Sequence, residues 1–244
     1  MTDLFLLSGV EEVVAFPTRK TPAHNDWYES AWRDADLTAA PEYEDKTVTL
    51  SYLLLRPTTG RLESARRELD KSTLLVAGYT LRPLRVERYE HRGGLLSAAP
   101  KYGILTLTAR QPARDYIREL GAGATDLKAA SSDLIRDWGD RVSLAGTPLH
   151  ETGTLVKHAY STALRPELSR RHDEDEVTPS REIVLSCLHQ GSLLPLWRLI
   201  NRIGALPLEV GGQTLNCYYT AMRDVKLHRA STLLSFDLCL QTCL

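Results

Sequence analysis

The chain alternates apolar and polar positions far more often than it repeats them at helical spacing. From Lys46 to Leu55, Val48, Leu50, Tyr52 and Leu54 recur at every second position, the period of a strand with one buried face. Pro57-Thr58-Thr59-Gly60 ends that run, and Thr59 is placed to cap a helix over 61–71. There Leu62, Ala65 and Leu69 make one narrow apolar stripe among charged residues. Strand character returns over 74–89, with Leu84 and Val86 expected on one face and Arg85 and Glu87 on the other. Gly93-Gly94 reads as a hairpin turn, and a further alternating strand over 104–109 closes the series.

A second series follows the same plan. A strand is expected over 182–188, then a helix over 193–203 with Leu193, Leu196, Trp197, Ile200 and Ile203 on one stripe. Pro195 falls in its first turn, where a missing N–H costs least. Strands over 208–210, 214–221 and 233–240 complete it.

The two series are related in sequence. DKTVTLSYLLL (45–55) resembles SREIVLSCLHQ (180–190), LLVAGYTLRPLRVERY (74–89) resembles LEVGGQTLNCYYTAMRD (208–224), and ILTLTARQ (104–111) resembles LSFDLCLQ (234–241). Order is kept and the offset drifts by only a few residues, from about 135 to 130, as expected of an internal duplication. The opening segments also share a plan: a short apolar run, a proline-containing loop and an aromatic-containing stretch, over 4–31 and again over 134–163. The expected units are 1–112, with an N-terminal arm, and 133–244. Residues 113–132 would bridge them, beginning with a short helix that places Tyr116 and Leu120 on one side. The fold class is mainly β (α+β): two tandem split β-barrel or sandwich units, each with one flanking helix.

Composition narrows the function classes. Apolar residues are 43% and charged residues 25% of 244, the balance of a globular chain. Basic and acidic residues offset each other in each of the three regions, so no footprint for sequence-specific nucleic-acid binding is expected. No run reaches the ~18 apolar residues of a membrane span, and no signal peptide is expected at the N-terminus. Cys187, Cys217, Cys239 and Cys243 lack CxxC spacing and read as buried free thiols.

Catalytic signatures are sparse. No Gly-x-Ser-x-Gly, phosphate-loop, dinucleotide or His-Glu-x-x-His pattern occurs. Cys187 and His189 would share one face of a strand, the minimum for a thiol–imidazole hydrolase, although the apolar setting of Cys187 opposes thiolate formation. His150, Glu151 and His158 read as polar loop residues, and RRHDEDE (170–176) as a solvated run rather than a metal loop on His172, Asp173 and Asp175. Arg82, Arg85, Arg88 and Arg92 form a weak basic patch interrupted by Glu87 and Glu90. No cofactor and no metal site is expected. Trp27, Tyr28 and Trp32, beside Asn25 and Asp26, are the candidate functional cluster, suited to packing an arm onto a neighbouring subunit or to stacking on a sugar.

The segment N-D-W…D-L…Y-E-D-K-x-V-x-L-x-Y-L-L, from Asn25 to Leu54, resembles the opening of bacteriophage distal-tail proteins, and the strand–helix–strand order of both halves is similar to the tail-tube barrel. The resemblance implies a virion structural part, assembled in the bacterial host cytoplasm, that closes into a homo-oligomeric ring (trimer or hexamer), contacts tail-tube and baseplate proteins and carries no catalytic residues. Two tube-like units depart from the commoner distal-tail layout, in which one such barrel precedes a different domain, and bring the chain nearer to a baseplate hub. The competing readings are a carbohydrate- or ligand-binding β-module using Trp27 to Trp32, and a hydrolase using Cys187 and His189.

Overall fold

The computed structural model describes residues 4–22, 37–92, 102–124, 142–163, 181–228 and 233–243. Two compact units emerge. One joins Met1–Ala15 to Asp45–Thr125; the other joins Phe16–Glu44 to Asp126–Leu244. This division differs from the tandem one read from sequence. Residues 16–44 belong with the second half, because Phe16 and Tyr43 supply aromatic rings to its core. Residues 113–121 belong with the first unit rather than forming a bridge.

The first unit runs β1 (Leu4–Ser8), α1 (Val10–Val14), β2 (Lys46–Leu55), α2 (Thr59–Leu69), β3 (Leu74–Val76), β4 (Tyr79–Arg92), β5 (Tyr102–Gln111) and α3 (Ala113–Gly121). Its antiparallel sheet has the order β1-β2-β5-β4-β3. The alternation of β2 buries Val48, Leu50, Tyr52 and Leu54 beside Leu105 and Leu107 from β5, and α2, which packs on β4, buries Ala65 and Leu69. Thr58, not Thr59, caps α2 by accepting the N–H of Arg61. The helix stops at Leu69, two residues before the expected end.

Two polar residues at the start of β2 fix the elements around it. Asp45 accepts from the N–H of Ala113 at 2.8 Å, at the first residue of α3, and from Arg110 Nε at 3.0 Å. Those bonds, led by the Ala113 N–H, hold its carboxyl below the usual carboxylate range. Lys46 donates to the carbonyls of Glu12, Val13 and Ala15 at the C-terminal end of α1, and burial pulls its amine down to about 7 against the nearby Glu12 carboxylate. Its ammonium lies 4.7 Å from the ring centre of Tyr116. Tyr116, fully buried on α3, stacks on Tyr79 at 4.6 Å and donates its hydroxyl to Val14 O at 2.7 Å.

The second unit runs β6 (Ser143–Leu144), β7 (Thr147–Pro148), a 3₁₀ turn over Leu149–Thr152, β8 (Thr154–Ala163), β9 (Arg181–His189), α4 (Leu194–Ile200), β10 (Leu206–Val210), β11 (Gln213–His228) and β12 (Leu233–Thr242). Its antiparallel sheet has the order β7-β6-β10-β11-β12-β9-β8. Read from β8, the run β8-β9-β12-β11-β10 repeats β1-β2-β5-β4-β3 strand for strand, with α4 in the place of α2. The β6–β7 hairpin is an addition at the far edge.

The duplication extends to the irregularities. In the first unit a bulge interrupts β1 where Ser51 and Tyr52 face Ser8 and Leu6; in the second, β8 is interrupted where Ser186 and Cys187 face His158 and Val156. A second bulge places Leu84 of β4 opposite the Ala109–Thr108 step, and Thr220 of β11 opposite the Leu240–Cys239 step. The first of these exposes Leu84, breaking the alternation expected of β4. Through Ser51 and Ser186, residues 104–111 correspond to 235–242, one residue along from the apparent sequence match.

The helix α4 buries Leu196, Trp197 and Ile200 as its stripe predicts. It ends at Ile200, however, and Ile203 is exposed beyond it because the chain has already turned, the Gly204 N–H being held by Leu37 O. Trp197 packs between Phe16 at 5.1 Å and Tyr43 at 4.8 Å, and the Tyr43 hydroxyl donates to Asn201 Oδ1 at 2.6 Å. Gly93-Gly94 and the charge run at 170–176 lie outside the described residues.

Candidate functional site

Trp27, Tyr28 and Trp32, the cluster singled out from sequence, lie outside the described residues, as do His172, Asp173 and Asp175. The remaining candidates can be placed.

Cys187 and His189 share the inner face of β9, 1% and 0% exposed, so no substrate reaches either from solvent. The Cys187 thiol donates to Leu185 O. The Nδ1 of His189 is 2.9 Å from Thr154 Oγ1, Thr154 Oγ1 is 3.0 Å from Thr152 Oγ1, and Thr152 Oγ1 is 2.7 Å from Leu149 O. Each hydroxyl has one proton and the carbonyl none. A single direction therefore satisfies all three contacts: His189 Nδ1–H to Thr154, Thr154 to Thr152, Thr152 to the carbonyl. Burial pulls the imidazole down to about 4 against the opposing carbonyls of Gly191 and Ser192, so it is neutral at physiological pH. The chain of hydroxyls ties β9 and β8 to the 3₁₀ turn, which is a structural task. Burial also pushes the thiols of Cys217 and Cys239 up, to about 12 and about 11, and all four cysteines are free.

His150 and Glu151 stand exposed on the 3₁₀ turn, while exposed His158 on β8 stacks on Tyr160 at 5.8 Å. Among the described residues no three His, Cys, Asp or Glu side chains group as metal ligands. The Arg82 member of the basic patch pairs with Asp115 at 3.1 Å, a carboxylate that also receives Arg118 at 3.2 Å.

What the first unit does display is unusual edges. Among the described residues, β1 has β2 as its single neighbour and β3 has β4, so the sheet ends in a strand edge on each side. Phe5 and Leu7 on β1 are 52% and 43% exposed, and Leu75 on β3 is 71% exposed. Proteins that remain single usually blunt such edges with charge, proline or a covering loop. Here both edge strands carry exposed apolar residues. Sequence reasoning missed them because an apolar residue on the polar phase of a short strand looks like one more core position. Leu75 was detectable as the outward residue of an otherwise inward pair, Leu74 and Val76, but not without the strand's limits. No helix of the described residues is long and apolar enough to cross a membrane.

No protein-family model, no curated protein and no solved structure matches this chain.

Proposed function

We propose that the protein is a structural, ring-forming component of a bacteriophage tail, acting as a distal-tail or hub part where tube meets baseplate. The observation that carries the reading is the pair of edge strands that end the first sheet among the described residues, with exposed Phe5 on β1 and exposed Leu75 on β3. One edge of a copy meeting the opposite edge of the next is a head-to-tail contact. Such contacts close into rings when the rotation between copies divides a full turn. Each chain contributes two related sheets, so a trimer presents six pseudo-equivalent sheets, the number a sixfold tube asks for, and a hexamer presents twelve. The resemblance of Asn25 to Leu54 to distal-tail openings points the same way.

The deciding experiment is imaging of purified tails with the protein labelled. Density at the junction of tube and baseplate is the expected result. Absence from the particle overturns the tail reading. Light scattering on the isolated chain then separates ring formation in solution from assembly that needs the tail as a scaffold.

A further inference from the structure

We propose that the second unit carries a carboxylate-binding groove centred on Arg19, recognising a monocarboxylate such as a peptide C-terminus or a small organic acid. The inference does not depend on ring assembly and concerns residues of the other unit.

The bulge at Thr220 creates the place. It turns the Thr220 carbonyl out of the ladder, where it accepts the N–H of Arg19 at 2.8 Å, while the Thr220 hydroxyl donates to Cys239 O at 3.0 Å. Arg19 is thereby held against β11. Its guanidinium carbon lies 5.1 Å from the ring centre of Tyr218, a cation–π platform. Tyr218, Gln241 and Glu182 form one cross-strand row on β11, β12 and β9. With Arg223 and Thr220 they line a groove of about 290 Å³ that opens beside Arg19.

The charges around this groove do not cancel. Arg223 meets Glu182 at 3.0 Å, and Lys20 meets Glu42 at 2.9 Å. Arg19 is 8% exposed and has no carboxylate partner among the described residues. Burial of most of the residue lowers the basicity of its guanidinium, a cost that an anion in the groove offsets. An arginine with no carboxylate partner among the described residues, set on an aromatic ring and lining a groove with hydroxyl and amide groups, is an anion site built in advance.

The Arg19 guanidinium offers a planar fork that matches a pair of oxygens on a carboxylate or a phosphate alike, so the choice between them falls to charge. Glu182, at the other end of the row, repels a doubly charged phosphate more than a singly charged carboxylate.

The test is NMR titration of the full ¹⁵N-labelled chain, following the Arg19 Nε–H signal at fixed ionic strength. N-acetylglycine stands for a peptide terminus, acetate for a small acid, and sodium phosphate and chloride are the competitors. The expected result is a saturable shift with N-acetylglycine or acetate, at least several-fold tighter than with phosphate and absent with chloride. Arg19→Lys should weaken it at least tenfold. Because that variant alters a buried position, Glu182→Gln provides an independent arm and should tighten carboxylate binding by removing the competing charge. Saturation by N-acetylglycine but not acetate identifies a peptide terminus as the source; the reverse identifies a small acid. No saturable shift, tighter binding of phosphate, or unchanged binding in Glu182→Gln overturns the proposal.

Discussion

Ala77 and Gly211 occupy the same position in the two halves of the molecule, the first residue of a two-residue hairpin, with φ of 52° and 59°. Both are followed by a glycine, Gly78 at 85° and Gly212 at 78°, so each turn has positive φ at both central residues, the form that suits the twist of a tight hairpin. Glycine accepts this conformation freely; alanine bears roughly 1–2 kcal/mol for it. Ala77→Gly should therefore stabilise the chain by about 0.5–1 kcal/mol, the relief of strain exceeding the extra chain entropy that must be lost. Gly211→Ala should destabilise it by about 1 kcal/mol. Urea unfolding of the two variants checks both signs at once, and equal signs would show that the turns are not equivalent.

Trp197 joins the segment at 16–44 to the second sheet through Phe16 and Tyr43, and it is 3% exposed. Trp197→Ala should cost on the order of 3–5 kcal/mol. Phe16→Ala should be less than additive with it, since the two rings share one contact. A thermal midpoint unchanged by Trp197→Ala would mean that residues 16–44 are not anchored there.

These two sites show how far the sequence could be read. Gly211-Gly212 announces its turn, so β10 and β11 were separable; Ala77-Gly78 announces half of one, and β3 and β4 read as a single strand over 74–89. The stripe of α4 was legible because Leu196, Trp197 and Ile200 recur at helical spacing. Its end was not, because the bond from Gly204 to Leu37 joins residues far apart in the chain. The same holds for the division of the molecule: nothing local assigns Phe16 to a core built from residues near 200. Asp45 and Lys46 fall in the segment that resembles distal-tail openings, and within the first unit Asp45 meets the start of α3 and Lys46 the end of α1. The groove at Arg19 needed the bulge at Thr220, and bulges leave no pattern in a single sequence.

His189 makes stability depend on pH with a definite sign. Its folded value, about 4, lies below the ordinary 6.5 because burial disfavours the charged ring. Between the two values the unfolded chain binds more protons than the folded one, so stability falls as pH drops from about 6.5 toward 4 and is fully present above that window. The loss amounts to about 3 kcal/mol at its limit. His189→Gln keeps a side-chain donor toward Thr154 and cannot titrate. It should be less stable at pH 7 but lose less between pH 6.5 and 4. Parallel pH profiles for the two proteins would show that another group controls this range.

The head-to-tail geometry proposed for the first unit has a consequence that a symmetric contact lacks. If β1 of one copy meets β3 of the next, a charge on either edge should block growth without harming the fold. Phe5→Lys and Leu75→Lys both place a lysine on an exposed edge position, and each should change stability by no more than about 0.5 kcal/mol. Each variant alone should remain a single chain under conditions in which the parent associates. Mixed together, however, they complement one another. The Phe5→Lys chain still offers β3, the Leu75→Lys chain still offers β1, and one contact can form between them before both remaining edges are blocked. Light scattering should then report a dimer in the mixture, and in neither component alone. A contact of β1 with β1 predicts otherwise: Leu75→Lys would associate by itself, and Phe5→Lys would not be rescued by mixing.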